Sequence, residues 1–283
     1  MISFYFFGDM GDGSKNQYNV SKAIKKKMDS DKVTDTFIVG LGDNIYENGC
    51  EDCFDNQFKT KFENPYRNIP DSVKFYMCLG NHDYGIKELE KKGNSQSQID
   101  YAKLSKKKNG KWIMPSNYYN HKKGNVEFFV IDTNLYNLTQ EEARVQLEFM
   151  KDKINKSRSK WKIVCGHHTW RSMGYHGTAD NNLEDFLNEL FNTTNADAYM
   201  CGHDHSKQII QKQMNNREVS LIVCGTGGND CDTTRSYNVG SDSKLLFGST
   251  NHGYGYCIPS KDELKIQFFD DKNNLEYVHI IEK

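Results

Sequence analysis

The N-terminal segment Ile2–Gly11 reads ISFYFFGDMG, an apolar run that stops at a glycine and an aspartate. Aromatic residues in a short apolar run favour a buried strand, and Gly8 favours a sharp turn directly after it. Asp9 then places a carboxylate just beyond the end of that strand. Because ligands bind at the carboxyl ends of strands in open α/β sheets, the segment predicts both a strand and a binding residue.

The same arrangement, a strand-type run followed by a glycine and side chains that can bind metal, occurs four more times. The turns are Gly42-Asp43-Asn44-Ile45-Tyr46, Gly80-Asn81-His82-Asp83, Gly166-His167-His168 and Gly202-His203-Asp204-His205. Six of the nine histidines lie in these turns or at His176, which random placement would not produce. Each motif alone is compatible with an ordinary turn whose polar groups are satisfied. All five in this order predict one shared site.

Strand and helix patterns alternate in the first two thirds of the chain, and strands dominate the last third. The clearest helix covers Thr139–Ile154, where Thr139 and Glu142 form a capping box, and a second apolar repeat covers Leu183–Leu190. This order predicts an α/β fold with two packed mixed β-sheets flanked by helices, in a single domain over residues 1–283. The predicted strands are Ile2–Phe7, Thr36–Leu41, Lys74–Leu79, Val126–Ile131, Lys162–Cys165, Ala198–Cys201, Val219–Cys224, Tyr254–Ile258, Leu264–Phe269 and Glu276–Ile281.

Charge and hydropathy exclude several classes of function. The 283 residues carry 37 Lys+Arg against 38 Asp+Glu, so no excess of positive charge attracts nucleic acid. The longest apolar stretch is far shorter than the ~18 residues of a membrane span, and the N-terminus lacks the basic region of a signal peptide. We therefore expect no nucleic-acid partner, no membrane segment and a monomer, while the chain does not indicate its localisation.

The candidate ligands offer oxygen and imidazole donors, and they are Asp9, Asp43, Tyr46, Asn81, His167, His203 and His205. Such donors suit Fe, Mn, Zn or Mg rather than thiol-loving ions. Seven ligands are too many for one metal with an open position. They suit two ions about 3.5–4 Å apart that share a carboxylate, an arrangement used for displacement at phosphorus. Metals would also compensate for the scarcity of arginine, six of 37 cations, in holding phosphate.

The five motifs resemble the signature of the purple acid phosphatases, within the binuclear metallophosphoesterase superfamily. They are Asp-x-Gly, Gly-Asp-x-x-Tyr, Gly-Asn-His-Asp, Val-x-x-His and Gly-His-x-His, and the small mammalian tartrate-resistant type is most similar. The resemblance continues through Gln98–Tyr101, Pro115–Tyr119 and Ile131–Thr133 to the C-terminal strands. It implies a metallophosphoesterase-like four-layer sandwich and an acid phosphatase that acts on small phosphate monoesters or phosphoproteins.

The resemblance also implies a metal assignment. Fe(III) would be held by Asp9, Asp43, Tyr46 and His205, and a divalent Fe, Zn or Mn by Asn81, His167 and His203, with Asp43 bridging. Tyr46 is diagnostic because a phenolate stabilises Fe(III), whereas Ser/Thr protein phosphatases have Asp-Arg in place of Ile-Tyr in this turn. His168 would be a bystander beside its neighbour.

The implied reaction uses a metal-activated hydroxide, with His82 and His176 protonating the departing alkoxide. A trivalent ion acidifies its water strongly, so activity at acidic pH is expected.

Two departures limit the resemblance. The segment between Asp132 and Thr139 is short, so the protease-sensitive loop that represses mammalian-type members is not carried over. The Gly49–Cys53 insertion would alter the rim of the site.

Alternatives remain open at this stage. The enzymatic one is a Mn or Zn metallophosphodiesterase or nucleotide hydrolase of the same superfamily. The non-enzymatic one is a pseudophosphatase that serves as an anchoring module, and the complete set of ligand positions argues against it.

Cys50 and Cys53 form a single Cys-x-x-Cys, which is compatible with plain thiols, a disulfide or a metal site. The cysteines at 78, 165, 201 and 224 end apolar runs and are predicted to be buried thiols.

Overall fold

The computed structural model describes residues 2–31, 35–85, 94–215, 217–231 and 239–283, which form fourteen strands and five α-helices. The strands are β1 (Ile2–Phe7), β2 (Asp35–Gly40), β3 (Phe75–Met77), β4 (Trp112–Ile113), β5 (Tyr119–Lys123), β6 (Val126–Val130), β7 (Trp161–Cys165), β8 (Ala198–Cys201), β9 (Lys207–Gln213), β10 (Glu218–Cys224), β11 (Ser243–Ser249), β12 (Gly253–Pro259), β13 (Glu263–Asp270) and β14 (Leu275–Glu282). The helices are α1 (Lys15–Asp31), α2 (Asn81–Tyr84), α3 (Ser95–Lys107), α4 (Gln140–Lys156) and α5 (Asn181–Thr193). A π-helical turn at Lys59–Glu63 and a 3-10 turn at Leu135–Asn137 complete the helical segments of these residues.

The strands form two sheets of seven, each with four adjacent parallel strands. The first sheet has the order β14-β13-β12-β1-β2-β3-β4, in which β1 to β4 are parallel. The second has the order β11-β9-β10-β8-β7-β6-β5, in which β10, β8, β7 and β6 are parallel. Antiparallel strands adjoin the parallel block on one side in the first sheet and on both sides in the second. The prediction of two mixed sheets is therefore confirmed.

The apolar core lies between the two sheets and beneath the helices. Aromatic residues of β1 fill the space between the sheets, where the Phe4 ring meets the edge of Phe128 at a centroid distance of 4.9 Å. Helices α4 and α5 cover the outer face of the second sheet through Met150, Leu187 and similar residues. Helix α1 lies against the first sheet through Val20 and Ile24. The result is the expected four-layer sandwich.

The predicted elements agree closely with the structure, including the capping box of α4 between Thr139 and Glu142. Strand β3 is shorter than predicted. Strand β9 was missed because its sequence KQIIQKQ is rich in polar residues, yet Lys207 is fully buried and forms an ion pair with Glu276. Strands β5 and β11 were missed for the same reason of composition.

Cysteine burial agrees with the sequence, since Cys78, Cys165, Cys201 and Cys224 are all buried. Cys50 and Cys53 are free thiols, the first of the three alternatives for this pair. No helix among the described residues combines the length and apolar character needed to cross a membrane. Organisation as a single domain over the whole chain stays a prediction.

Candidate metal centre

The carboxyl ends of the parallel strands bring all seven candidate ligands to one place. Strands β1, β2 and β3 are neighbours in the first sheet, and β7 and β8 are neighbours in the second. Each candidate ligand follows one of these five strands: Asp9 after β1, Asp43 and Tyr46 after β2, Asn81 after β3, His167 after β7, and His203 and His205 after β8. The turns therefore converge as predicted, because parallel strands end at the same edge of a sheet.

The turns themselves have unusual backbone conformations. Asp9, Asp43 and His203 have φ values of 57°, 48° and 70°, in the left-handed region that few non-glycine residues adopt. Such strain is tolerated where surrounding contacts fix it, and it is concentrated at functional sites. A Cβ atom at Gly80 would collide with the Asp43 carboxylate, and one at Gly202 would collide with Asp9. Glycine is thus required at both positions because the backbone there lies too close to a carboxylate to leave room for a side chain.

One group of donors surrounds the Tyr46 hydroxyl. The Tyr46 Oη atom lies 3.1 Å from Asp9 Oδ1, 3.1 Å from Asp43 Oδ2 and 3.2 Å from His205 Nε2. His205 Nε2 is also 3.3 Å from Asp9 Oδ1. Two ligands that each stand ~2.0–2.2 Å from one ion are separated by about this much. We name these four residues the tyrosine group.

A second group of donors surrounds the imidazole of His167. Its Nε2 atom lies 3.0 Å from Asn81 Oδ1, 3.2 Å from His203 Nδ1 and 3.3 Å from Asp43 Oδ2. We name Asn81, His167, His203 and Asp43 the histidine group. Asp43 Oδ2 belongs to both groups, so one carboxylate oxygen lies between them. The donor set therefore fits two adjacent metal ions, and Asp9, Asp43 and His167 alone already form a buried cluster able to hold one.

The protonation states reflect carboxylates, a phenol and histidines packed together, with no ion pair from Asp9 or Asp43 to a lysine or arginine among the described residues. Burial raises the pKa of Tyr46 well above its usual value, and the carboxylates of Asp43 and Asp9 raise it further. Burial opposes ionisation of Asp43, but His167 outweighs this effect and lowers the pKa of that carboxyl. The Asp43 carboxylate in turn raises the pKa of His167 despite its burial. A bound cation would displace these protons, so metal binding should release them.

Neighbouring carbonyl groups orient the histidines. His167 Nδ1 lies 2.8 Å from the Leu41 carbonyl oxygen, and His205 Nδ1 lies 2.7 Å from that of Asp230. Since a carbonyl can only accept, both Nδ1 atoms carry hydrogen, and each Nε2 atom faces the other donors with a lone pair that can bind metal. Sequence reasoning missed these partners because any residue supplies a carbonyl.

Two side chains that support the turns were also missed. Asp83 is fully buried and accepts hydrogen bonds from Gly80 N at 2.8 Å and Asn44 N at 3.0 Å, which joins two of the metal-facing turns. Burial and the Asp43 charge raise the pKa of Asp83 to about 6. Thr133 Oγ1 accepts from His168 N at 3.0 Å. Asp83 and Thr133 both lie within the motifs given above. The sequence signal that could have identified them is that backbone N–H groups in turns after buried strands need side-chain acceptors.

The two proposed proton donors occupy different positions at the rim. His82 Nδ1 lies 2.6 Å from the Glu47 carbonyl oxygen, and its Nε2 is 4.0 Å from Asp43 Oδ2. The His176 side chain is exposed, and its ring stacks on His203 at a centroid distance of 4.0 Å. Both are therefore next to the donor groups without joining them.

His168 lies behind the histidine group. Its Nδ1 is 2.8 Å from Thr133 Oγ1, and burial together with the charge of His167 lowers its pKa to about 3. A neutral imidazole bonded to a threonine describes this position, and the bystander role of His168 stays a prediction.

Comparison with known proteins agrees with this geometry. The family model of calcineurin-like phosphoesterases matches residues 2–207, and the chain belongs to that family. Human tartrate-resistant acid phosphatase type 5 is 31% identical over 261 residues, which cover 83% of this chain and 75% of that protein. Purple acid phosphatase 4 of Arabidopsis thaliana is 26% identical over 292 residues, covering 96% of this chain and 81% of the relative.

Solved structures share the fold. Plasmodium GAP50, described as the anchor in the inner membrane complex, has a TM-score of 0.76 at 24% identity, covering 99% of this chain and 88% of that one. A purple acid phosphatase from yellow lupin has a TM-score of 0.76 at 16% identity, covering 99% and 53%. The protein is thus a metallophosphoesterase related to the purple and tartrate-resistant acid phosphatases, a family that implies a binuclear metal site.

Proposed function

We propose that the protein is an acid phosphatase that hydrolyses phosphate monoesters with a binuclear Fe(III)–M(II) centre. The observation that carries this proposal is the position of the Tyr46 hydroxyl, 3.1 Å from both Asp9 and Asp43 and 3.2 Å from His205. A buried phenol between two carboxylates loses its proton only to a strong Lewis acid. A ferric ion is the hard acid that suits this set of donors.

The two donor groups differ in charge, which supports two different ions. The tyrosine group contains two carboxylates and a phenol, whereas the histidine group adds only an amide and two imidazoles to the shared Asp43. Anionic donors favour the trivalent ion and neutral donors favour a divalent one. We therefore assign Fe(III) to the tyrosine group and Fe(II), Zn or Mn to the histidine group.

Two ions in these positions would supply Lewis acidity for the attacking water and neutralise charge on the phosphate. The chain itself supplies the proton for the leaving group. Because His82 Nδ1 faces the Glu47 carbonyl, it carries hydrogen, and the proton to be donated sits on Nε2, which faces Asp43. His176, above His203, is placed to assist. A histidine is an acid only when protonated, so acidic pH favours this role.

Two other functions are compatible with the family. A Mn or Zn phosphodiesterase or nucleotide hydrolase would use the same turns, but it would have no need of the Tyr46 phenol. An anchoring role is described for Plasmodium GAP50, but the likeness at 24% identity extends to the fold alone and does not favour that role here. An anchor has no need of a complete ligand set, and every ligand position is filled here.

Elemental analysis and a visible spectrum of the purified protein test the proposal. We expect iron, a second metal, and a visible charge-transfer band that is lost in Tyr46→Phe while the fold is retained. Tyr66→Phe is the matched control, because Tyr66 is equally buried but its hydroxyl accepts a hydrogen bond from Gln17, away from the candidate ligands. Iron without colour, even after mild oxidation, contradicts the ferric assignment. Faster hydrolysis of diesters than of monoesters would favour the first alternative.

A further inference from the structure

An open groove lies between helices α4 and α5, on the outer face of the second sheet. Its volume is about 760 Å³, within the ~300–1,000 Å³ of pockets that hold ligands. Leu138, Leu147 and Phe186 form an apolar floor. Glu141 and Asp185 stand on its rim, where both side chains are exposed. The groove thus combines apolar burial with acidic edges.

The groove adjoins a smaller cavity that reaches the candidate metal centre at His203. Leu135 and Tyr136 line both the groove and a smaller cavity of about 170 Å³, whose other wall includes His168, His176 and His203. The Tyr136 side chain is 52% exposed, and its ring meets the edge of His168 at 6.3 Å between centroids. A molecule with its phosphate at the metal centre could therefore extend past Tyr136 into the groove, provided it is longer than a simple monoester.

The charge of the groove selects the occupant. Four carboxylates and one arginine line it, namely Glu141, Glu148, Asp185, Glu189 and Arg144. Lys151 forms ion pairs with Glu148 at 3.0 Å and Glu189 at 2.9 Å. In the part of the chain that the structure describes, Glu141 and Asp185 have no ion pair with a lysine or arginine. A cationic side chain would complement them, whereas a membrane of anionic lipid or a nucleic acid would be repelled.

We propose that this groove binds the polypeptide segment that flanks a phosphorylated residue and favours lysine or arginine in that segment. The inference rests on the proposed phosphatase function and narrows its substrates to basic phosphopeptides. The phosphate would occupy the metal centre, an apolar residue would contact Phe186, and a basic residue would lie against Glu141 and Asp185. Tyr136 would separate the two ends of the substrate.

Paired phosphoserine peptides test the proposal, identical except for lysine or glutamate at the flanking positions. For the wild type, kcat/KM should be about tenfold higher for the lysine peptide, since exposed charge pairs each contribute a few-fold. The double variant Glu141→Gln/Asp185→Asn should reduce this ratio to about twofold. Added salt should reduce it in the wild type. Nitrophenyl phosphate, which is too short to reach the groove, should be hydrolysed equally by both proteins.

The matched control neutralises Glu263 and Glu282, exposed partners on β13 and β14 in the other sheet. It should retain the wild-type ratio. Melting temperatures are compared because Glu141 also lies in the first turn of α4, where a carboxylate stabilises the helix end. Binding of fluorescent peptides, read by anisotropy, provides a measurement that does not depend on catalysis.

The outcomes separate the two proposals. Hydrolysis of nitrophenyl phosphate with equal rates on the two peptides, or a ratio that survives in the double variant, overturns the groove alone. Preferential binding of the lysine peptide without any hydrolysis supports the groove and contradicts the phosphatase function. If the protein neither hydrolyses these phosphates nor prefers the lysine peptide, both the phosphatase function and the groove proposal are overturned.

Discussion

Two polar clusters in this molecule solve the problem of buried charge in opposite ways. In the candidate metal centre, Asp9 and Asp43 lie beside Tyr46 and histidines, and no lysine or arginine of the described chain forms an ion pair with either carboxylate. In the second, which we call the ionic cluster, two cations face two anions. Its members are Arg171, Glu184, Lys212 and Asp242.

The ionic cluster neutralises itself. Arg171 binds Glu184 with Nη2 at 2.8 Å and Asp242 with Nη2 at 3.1 Å, and Lys212 also pairs with Asp242. The metal centre instead combines strained turns with carboxylates that, among the described residues, form ion pairs with histidines but with no lysine or arginine. Charges left in this state require an external cation, whereas a self-neutralised cluster contributes to the fold. Breaking the first should therefore abolish activity, and breaking the second should reduce stability.

The largest effect is expected for Asp43→Ala. The Asp43 Oδ2 atom is shared by the tyrosine and histidine groups, so its loss should abolish hydrolysis and lower the content of both metals. Metal analysis and phosphatase assays measure this directly. Two metals retained per chain would show that Asp43 does not bridge, and the comparison between the clusters would lose its basis.

A smaller effect is expected for the proton donors. His82→Ala should lower kcat/KM by about 10²–10⁴-fold for an alkyl phosphate, since a poor leaving group needs the acid, and much less for nitrophenyl phosphate. His176→Ala should show the same pattern more weakly, because its exposed side chain is held less firmly. Metal content should be unchanged in both. Equal losses on the two substrates would indicate phosphate binding, and loss of metal would make these histidines ligands.

The smallest effect is expected for Asp242→Asn in the ionic cluster. Burial acts to raise the pKa of Asp242, but hydrogen bonds from Arg171 and Lys212 outweigh it and lower the pKa. The side chain is 39% exposed, so solvent screening limits the effect to about 1 kcal/mol, or about 2–4 °C in melting temperature. A carboxyl group whose pKa is lowered in the folded state stabilises the fold at pH values above its usual pKa. The loss of stability in Asp242→Asn should therefore be present at pH 7 and become smaller below about pH 4.

The control for this variant is Asp29→Asn, which breaks an exposed i,i+4 pair with Lys25 and should shift the melting temperature very little. Activity of Asp242→Asn should remain within about twofold of the wild type if the clusters are independent. A large loss of activity at unchanged stability would mean that the ionic cluster acts on the nearby His176 segment.

The fold class and the candidate ligands could be read from local sequence patterns. Each metal-facing turn is encoded locally, by an apolar run, a glycine that admits close approach, and one or two donors such as Asp9 or His167. Parallel strands of one sheet end at the same edge, so the turns within each sheet had to meet, and packing of the two sheets brings both sets together. The α4 helix was equally predictable, because its capping box and apolar spacing lie within one segment.

The orientation of the donors and the residues that surround them depend on contacts between distant parts of the chain. The carbonyl oxygens of Leu41 and Asp230 orient His167 and His205 across long sequence separations, and a backbone carbonyl leaves no signature in the residue type. Strand β9 is hidden in the sequence because its buried Lys207 depends on Glu276, 69 residues away. The groove beside Tyr136 likewise exists only because α4 and α5 pack side by side. The conformation and donors of each turn depend on adjacent residues, whereas these long-range contacts depend on packing between residues that are distant in the sequence.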